Sequence, residues 1–352
     1  MAYLAGQLVL AVDAGAPNNG QGEATTGRVK TAWVRRKLHT YVSAQAYRRW
    51  LRDTMATQGS PTSPVERSGS GKSQKANTGA NPIRYPDDDL FGYMKAGARS
   101  DDSGTTLRDS PFMLGTLMSV APVRPTEDFG VMAREVSDPV LHGHEFYSAE
   151  LAAPFLLDLP RIGTFTLPGK RWGRPNYLSS EDALQIAEGL QAGAQQIEFR
   201  GQDAVRLPLE DRRERAALLL DAWADVAGGA KKALHYGDRT AAFLMMTPMK
   251  GGVNPFAFVL AAPDERQLEV RADVLDKELA AWDGEWEAPV RIGWRPGFAD
   301  RTREQFEKQL SDRIAKKEIV IDHPRSMLRA LATDIRGGDL DSWFDDPVRE
   351  PA

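Results

Sequence analysis

The chain has 352 residues, 41% of them hydrophobic and 27% charged, a formal net charge of −4 and no cysteine. That length suits one large domain with insertions or two ordinary ones, and the composition supplies a core. No apolar run approaches the roughly 18 to 20 residues of a membrane span, and the lack of cysteine excludes disulfides and thiolate metal sites and fits a reducing cytoplasm. The opening MAYLAGQLVLAVDAG has no basic region ahead of its apolar stretch and reads as a first strand rather than a signal peptide. Residues 4–13 form that strand, and the turn-rich AGAPNNGQG follows. Residues 28–42 read as a basic loop and strand leading into a helix at about 43–55. Residues 56–86, rich in Ser, Gly, Thr, Asn and Pro, carry too little apolar surface for a core and predict a mobile insertion.

Order returns with DDLFGYM at 88–94 and the apolar run at 111–122. The Pro- and Gly-containing connection 122–144 and the run at 145–159 suggest a protruding hairpin or arm. Ser179 and Ser180 ahead of Glu181 and Asp182 predict a helix over 180–194. Pro208 opens a second helix that stops before Gly228 and Gly229. Strands are expected at 240–249 and 256–262 and helices at 271–282 and 300–317; an acidic, flexible tail is expected from 335. Interleaved strands and helices make the class α+β or α/β.

The strongest local signal is electrostatic. Between Arg28 and Arg52 stand eight bases (Arg28, Lys30, Arg35, Arg36, Lys37, Arg48, Arg49 and Arg52) and no acid. Within the helix, Tyr47, Trp50, Leu51 and Thr54 recur at the spacing of one buried face, while Gln45, Arg48, Arg49 and Arg52 occupy the other. Ser43 stands where an N-cap belongs, and a helix N-terminus favours anions. Guanidinium forks match phosphate oxygens, and the interleaved Trp33, His39, Tyr41 and Tyr47 favour unpaired bases over duplex. The plainer reading of an isolated RR-x-x-R is a solvated helix face with acidic partners elsewhere in the fold.

Other motifs carry less. GSGKS at 69–73 imitates the end of a P-loop, but Glu66 stands where the first glycine is required and no strand precedes it. His142-x-His144-Glu145 has no third histidine to complete a metal site and suits a hairpin edge. With five histidines and no cysteine, no cofactor, no metal and no catalytic activity are expected.

The run GRVKTAWVRRKLHTYVSAQAYRRWLRDTM, then DDLFGYM, SPFMLGTLMSVAPV, TEDFG, HEFYSA, GAKKALHYGDRTAAFLMM and MKGGVNPF resembles the DevR-type branch of the Cas-seven family. These are the RAMP backbone subunits of type I-B CRISPR effector complexes (Cascade), and the resemblance covers most of residues 1–262. It implies an α+β, RRM-like (ferredoxin-like) palm with an inserted finger region and a thumb β-hairpin. The implied divisions are 1–55 palm with the basic RNA-facing helix, 56–87 finger, 88–121 palm and 122–147 thumb. Palm continuation and a C-terminal helical region follow over 148–334, then the tail at 335–352. Implied guide contacts are Ser43, Gln45, Arg48, Arg49 and Arg52, with Met94 against a base and Phe129 and Met132 in the thumb. Lys231, Lys232 and Lys250 are further contacts, beside the basic run Arg28, Lys30, Arg35, Arg36, Lys37 and His39.

The implied partners are the crRNA guide, target DNA through the guide, neighbouring copies stacked head to tail, and other Cascade subunits, all cytoplasmic and with no membrane. Type III backbone subunits of similar fold cut RNA with a loop aspartate, so a metal-dependent ribonuclease using Asp13 or Asp53 is the enzymatic alternative. Both aspartates read as structural, Asp13 ending a strand and Asp53 at a helix end. A stand-alone nucleic-acid-binding regulator is the third reading.

Overall fold

The computed structural model describes residues 2–20, 22, 26–68, 74–95, 106–132, 140–167 and 183–346. Strand β1 (Ala2–Gly15) leads through the short β2 (Thr26–Gly27) to the hairpin β3 (Thr31–Val34) and β4 (Lys37–Val42), then helix α1 (Ala44–Thr57). A small hairpin of β5 (Val65–Ser68) and β6 (Lys75–Thr78) precedes α2 (Pro86–Phe91) and the pair β7 (Tyr93–Lys95) and β8 (Thr106–Arg108). Next come β9 (Phe112–Leu114), β10 (Leu117–Ser119), β11 (Thr126–Met132) and the 19-residue β12 (Val140–Asp158). β13 (Thr164–Thr166), α3 (Ala183–Gln191), β14 (Gln195–Phe199) and β15 (Gln202–Arg206) precede α4 (Leu209–Ala224) and β16 (Phe243–Lys250). The remainder is β17 (Leu260–Ala261), β18 (Glu269–Val270), α5 (Ala272–Ala281), β19 (Val290–Trp294), α6 (Asp300–Gln309), α7 (Ser311–Ala315), β20 (Ile319–Asp322) and α8 (Pro324–Gly337).

The main sheet runs β20-β19-β16-β1-β12-β10-β4-β3. Its centre, β16-β1-β12-β10, is antiparallel, with α1 following β1 in the chain and α4 following β12. That is the βαββαβ order of a ferredoxin-like, RRM-like palm, and the class is α+β. Both faces of β1 are covered, which is why it reads as a nearly continuous apolar run. Leu4, Leu8, Leu10 and Val12 share one core with Tyr47, Trp50 and Leu51 of α1, Leu219, Leu220 and Trp223 of α4, and Leu328 and Leu331 of α8. Tyr3, Ala5 and Val9 face a second core with Phe243, Met245, Leu275, Ile292 and Phe306. Trp223 packs in T-shaped fashion against Phe155 and Phe112, with ring centroids 4.8 and 5.1 Å apart. Truncating such a residue to alanine costs about 3–5 kcal/mol. Gly6 lets β1 and β16 approach, because a Cβ there would overlap the Met245 carbonyl.

β12 belongs to two structures at once. Its second half pairs with β1 from Ala149 to Asp158, while its first half pairs with β11 from Val140 to Phe146. The register of β1 breaks between Val12 and Gly15, where the Ala14 amide donates to Ser148 Oγ at 2.9 Å. The arm leaves the palm at that bulge.

Four expectations need correction. In residues 56–86, β5 and β6 pair, and the flanking chain is held from below. The amides of Ser63 and Asn81 donate to the buried carboxylates of Asp87 and Asp88 at 2.9 and 3.0 Å. The strand expected at 256–262 is confined to Leu260–Ala261, because a 3-10 turn, Pro255–Phe258, precedes it, capped by the Asn254 side chain, which accepts from the Phe256 amide. The helix expected over 300–317 is two helices, divided at Leu310. The stretch from 335 is no tail as far as 346. α8 runs to Gly337, Trp343 and Phe344 are buried in the first core, and Asp341 and Asp346 are bound by Arg213 and Arg200. Two aromatic side chains inside the acidic run outweigh its charge. The proposed helix start at 179–182 lies outside the described residues, as does GSGKS, while α3 begins at Ala183.

Candidate nucleic-acid interface

The basic segment folds into a hairpin and a helix whose cations have unequal surroundings. Arg35 and Arg36 connect β3 to β4 with φ of 48° and 66°, as in a type I′ turn. Such turns ordinarily take Asn-Gly, because a side chain in the left-handed region is strained. Both arginines are exposed, and beside them Trp33 is 71% exposed at the edge of the main sheet. The adjoining Lys37 is ion-paired with Glu265. His39 is buried, its Nδ1 2.8 Å from the Ser119 carbonyl, so it fastens β4 to β10 and offers no ring to a ligand. Arg28 pairs with Glu145 of β12 at 2.7 Å, and the other Glu145 oxygen accepts from the Val29 amide at 2.9 Å. The Lys30 carbonyl accepts from the Tyr41 amide at 3.1 Å.

Helix α1 has the two faces that its spacing predicts. Ser43 Oγ accepts from the Ala46 amide at 3.3 Å, the N-cap bond. Tyr47, Trp50, Leu51 and Thr54 are buried, and Gln45 and Arg49 are exposed. Arg48 and Arg52 are half-buried at its edge. Arg49 pairs with Asp53 one turn on at 2.8 Å, and Asp53 lies within the helix rather than at its end. Arg52 Nε is 2.9 Å from the buried carboxylate of Asp87, and its guanidinium lies 5.4 Å from the Phe91 ring. Burial, and then the charge of Arg52, pushes the Arg48 guanidinium below its ordinary pKa.

Of the eight bases, four thus find acids: Glu145, Glu265, Asp53 and Asp87. Lys30, Arg35, Arg36 and Arg48 have no carboxylate partner among the described residues.

The arm places side chains on two faces. Phe129 (64% exposed), Val131 and Leu141 are exposed, at register positions Phe129–Gly143 and Val131–Leu141. Met132 stands opposite Val140. The alternate positions carry Asp128, His142 and His144, with His144 Nε2 3.5 Å from Asp128. The His235 ring lies 4.9 Å from that of His144 and 5.2 Å from that of Phe146. Burial, then the neighbouring His144 and Lys231, pushes His235 below the ordinary histidine pKa. His235 and Lys231 sit in the irregular segment 225–242 between α4 and β16, where Lys231 Nζ is 3.5 Å from the Gly27 carbonyl. Lys232 is exposed beside it. A Cβ on Gly228 would overlap the Trp50 ring, so this segment lies directly on α1.

Met94 is 63% exposed on β7, paired with Leu107 of β8. Lys250 is not brought together with the others. It faces Ala2 at the far end of β1, and its ammonium donates to the Gly284 carbonyl at 2.7 Å.

Beneath α1 lies a charge cluster that reading by motif missed. Asp87, Asp88 and Asp89 are all fully buried in α2. Asp89 binds Arg108 of β8, Arg215 of α4 at 2.7 Å and the Gly163 amide at 2.8 Å. Its sequence signal was three consecutive aspartates after a proline, the first turn of a helix, with an apolar pair behind. Asp13 is exposed on β1 and accepts from the Ser148 hydroxyl at 3.1 Å. Among the described residues no group of three or more His, Cys, Asp or Glu is placed to hold a metal ion, and no helix is long and apolar enough to cross a membrane.

No family model and no curated protein matches this chain. Its fold is similar to that of a chain in a structure described as a CRISPR RNA-guided surveillance complex, with a TM-score of 0.55 and 12% identity, over 94% of this chain and 98% of that one. It is also similar to a chain from a CRISPR RNA-guided surveillance complex, pre-nicking, with a TM-score of 0.56 and 10% identity, over 95% and 100%. At such identities the likeness is one of fold, and it extends over nearly the whole of both chains.

Proposed function

We propose that this chain is a crRNA-binding backbone subunit of a type I-B, DevR-type CRISPR Cascade, a scaffold rather than an enzyme. The observation that carries the reading is the fold likeness to chains of RNA-guided surveillance complexes along essentially their full length. The exposed cations of the β3–β4 hairpin and α1 agree with it. They offer charge, which suits a protein that grips phosphates and leaves base edges free for pairing.

In this reading Arg35, Arg36, Arg48 and Arg49 grip the guide backbone and Met94 packs against a base. The arm is the thumb, and its exposed Phe129, Val131 and Leu141 reach the strand held by the next copy. The segment around β5 and β6 is the finger. Arg28, Lys37 and His39 shape this surface from behind, through Glu145, Glu265 and Ser119. Copies stacked along one RNA gain avidity, so weak individual sites form a stable array that presents the guide to target DNA in the cytoplasm. The absence of catalysis is part of the proposal: Asp13 is held by Ser148 and Asp53 by Arg49.

Expression with and without a matching repeat-spacer transcript, followed by nuclease digestion of the purified material, tests it. A ladder of protected RNA with a regular step is expected. Uniform digestion, or cleavage of guide-matched RNA that is lost on replacing Asp13, would overturn it.

A further inference from the structure

Four arginines in the described residues are almost wholly buried: Arg108, Arg212, Arg215 and Arg239. Three of them are saturated. Arg108 donates to Asp89 and to the carbonyls of Asp89, Thr164 and Arg161. Arg212 reaches the carbonyls of Ile162, Pro160 and Phe344. Arg215 reaches Asp89 and the carbonyls of Pro82 and Ile83.

Arg239, 2% exposed, is the exception. Its Nη1 donates to the Asp238 carbonyl at 3.1 Å, while Nε and Nη2 have no acceptor among the described residues. The adjacent carboxylate does not serve it. Asp238 is bound to Arg295 at 2.5 Å and accepts the Thr240 amide at 2.8 Å. Glu145 is likewise taken by Arg28 and the Val29 amide. A buried cation with two unpaired donors is costly, and it persists where something supplies the acceptor.

The surroundings are shaped for close approach. A Cβ on Gly229 would lie 3.1 Å from Arg239 Nε, and one on Gly237 would lie 2.7 Å from Nη1. The backbone of Gly229 and Gly237 therefore lies directly against the guanidinium, and an anion reaches it only if this irregular segment shifts. Gly229, at φ +91°, allows the turn, and the Ala230 amide donates to the Pro17 carbonyl at 3.0 Å. The same segment carries Lys231, exposed Lys232 and Tyr236, which is 80% exposed. Asn18, next to Pro17, accepts from the Tyr147 hydroxyl at 2.9 Å and donates to the Lys30 carbonyl at 3.3 Å. The site thus adjoins the basic run.

We propose that Arg239 is the floor of a phosphate-binding site under the Gly229–Gly237 segment, and that it takes one backbone phosphate of the strand gripped by α1. The choice of strand rests on the RNA-binding reading above; the anion site itself does not. Bidentate donation from Nε and Nη2 is the guanidinium geometry suited to a phosphate.

The test compares the full chain with its Arg239→Met variant. In phosphate-free chloride buffer the variant is expected to melt at or above the wild type, because an uncompensated buried charge is removed. Inorganic phosphate should raise the wild-type melting temperature and leave the variant unmoved. With single-stranded RNA, the log–log salt slope of the variant should be smaller in magnitude by about 0.7, the contribution of one phosphate. A variant that melts far below the wild type would mean a guanidinium satisfied within the fold and would overturn the site. Equal salt slopes would remove the strand from it. If the wild type binds no RNA, the RNA reading fails, and the phosphate arm decides alone: a wild-type-specific rise keeps the anion site, and no rise overturns it.

Discussion

The buried aspartates of α2 and the exposed arginines of the β3–β4 hairpin lie at opposite extremes of the same electrostatics. Asp87, Asp88 and Asp89 are out of water, yet they collect Arg52, Arg108, Arg215 and three backbone amides. These partners come from α1, the segment before β5, the segment after β6, β8, α4 and the turn before β13, so one helical turn ties six parts of the chain together. Arg35 and Arg36 are in water, on strained backbone, with no carboxylate partner among the described residues. The charge that ties α2 into the fold is matched and dry, whereas the charge of this turn is unmatched and wet. The strain at Arg35 and Arg36 brings the fold nothing, which points to a use outside it.

The matched side is the easier to break. Asp89→Ala strands two buried guanidinium groups and should cost about 3–5 kcal/mol, read as a lower urea midpoint at unchanged slope. A loss under about 1 kcal/mol would mean that the carbonyls around Arg108 and Arg215 suffice, and the contrast would fail. Asp87 sharpens the point through pH. Burial pushes its carboxyl above the ordinary range, against the smaller opposing effects of the Ser63 amide and Arg52. The fold therefore prefers the neutral form: the stability linked to this group is present below its unfolded pKa and is lost as pH rises through the raised folded value. Asp87→Asn should remove that dependence, so that wild type gains on the variant as pH falls through the carboxylate range. Parallel pH profiles would contradict it.

The unmatched side should respond with opposite signs in two assays. Arg35→Asn with Arg36→Gly installs the pair that a type I′ turn prefers and should stabilise the fold by about 1 kcal/mol. The same change should lower affinity for single-stranded RNA and shrink the log–log salt slope by about 1.4, for two phosphates. A stabilised variant with unaltered RNA affinity would leave the strained turn without a role in binding.

What was legible in the sequence was local. The buried and exposed faces of α1, its cap at Ser43 and the apolar β1 follow from spacings of three, four or two residues. The acids that neutralise Arg28 and Lys37 lie 117 and 228 residues away, so an acid-free run of eight bases overstated the free charge. Asp87 is nearer, but an aspartate run ahead of an apolar pair reads as a solvated helix start, and its burial depends on guanidinium groups from α1, β8 and α4. The two roles of β12 were hidden for a different reason. One strand passes from palm to arm without a turn residue, and only its partners change. Trp343 and Phe344 show composition misleading in the other direction, since two aromatic side chains dock a segment whose charges alone suggest a tail.

The smallest effect on stability, and the most direct reading of the surface, belongs to Arg48→Ala with Arg49→Ala. The Arg49–Asp53 pair is exposed and contributes about 0.3–0.5 kcal/mol, and Arg48 makes a long 3.4 Å bond to the Ala44 carbonyl within its own helix. Alanine recovers part of that through its helix propensity, so the melting temperature should hardly move. Asp53, freed of its partner, then presents a negative charge on the face proposed for RNA, and the loss of binding should exceed that from removing two cations alone. Adding Asp53→Asn to the pair separates the two contributions. RNA retention should recover in part if Asp53 repels the strand, and an unchanged triple variant would mean that the strand runs along the hairpin and Arg48 but not along this turn of α1.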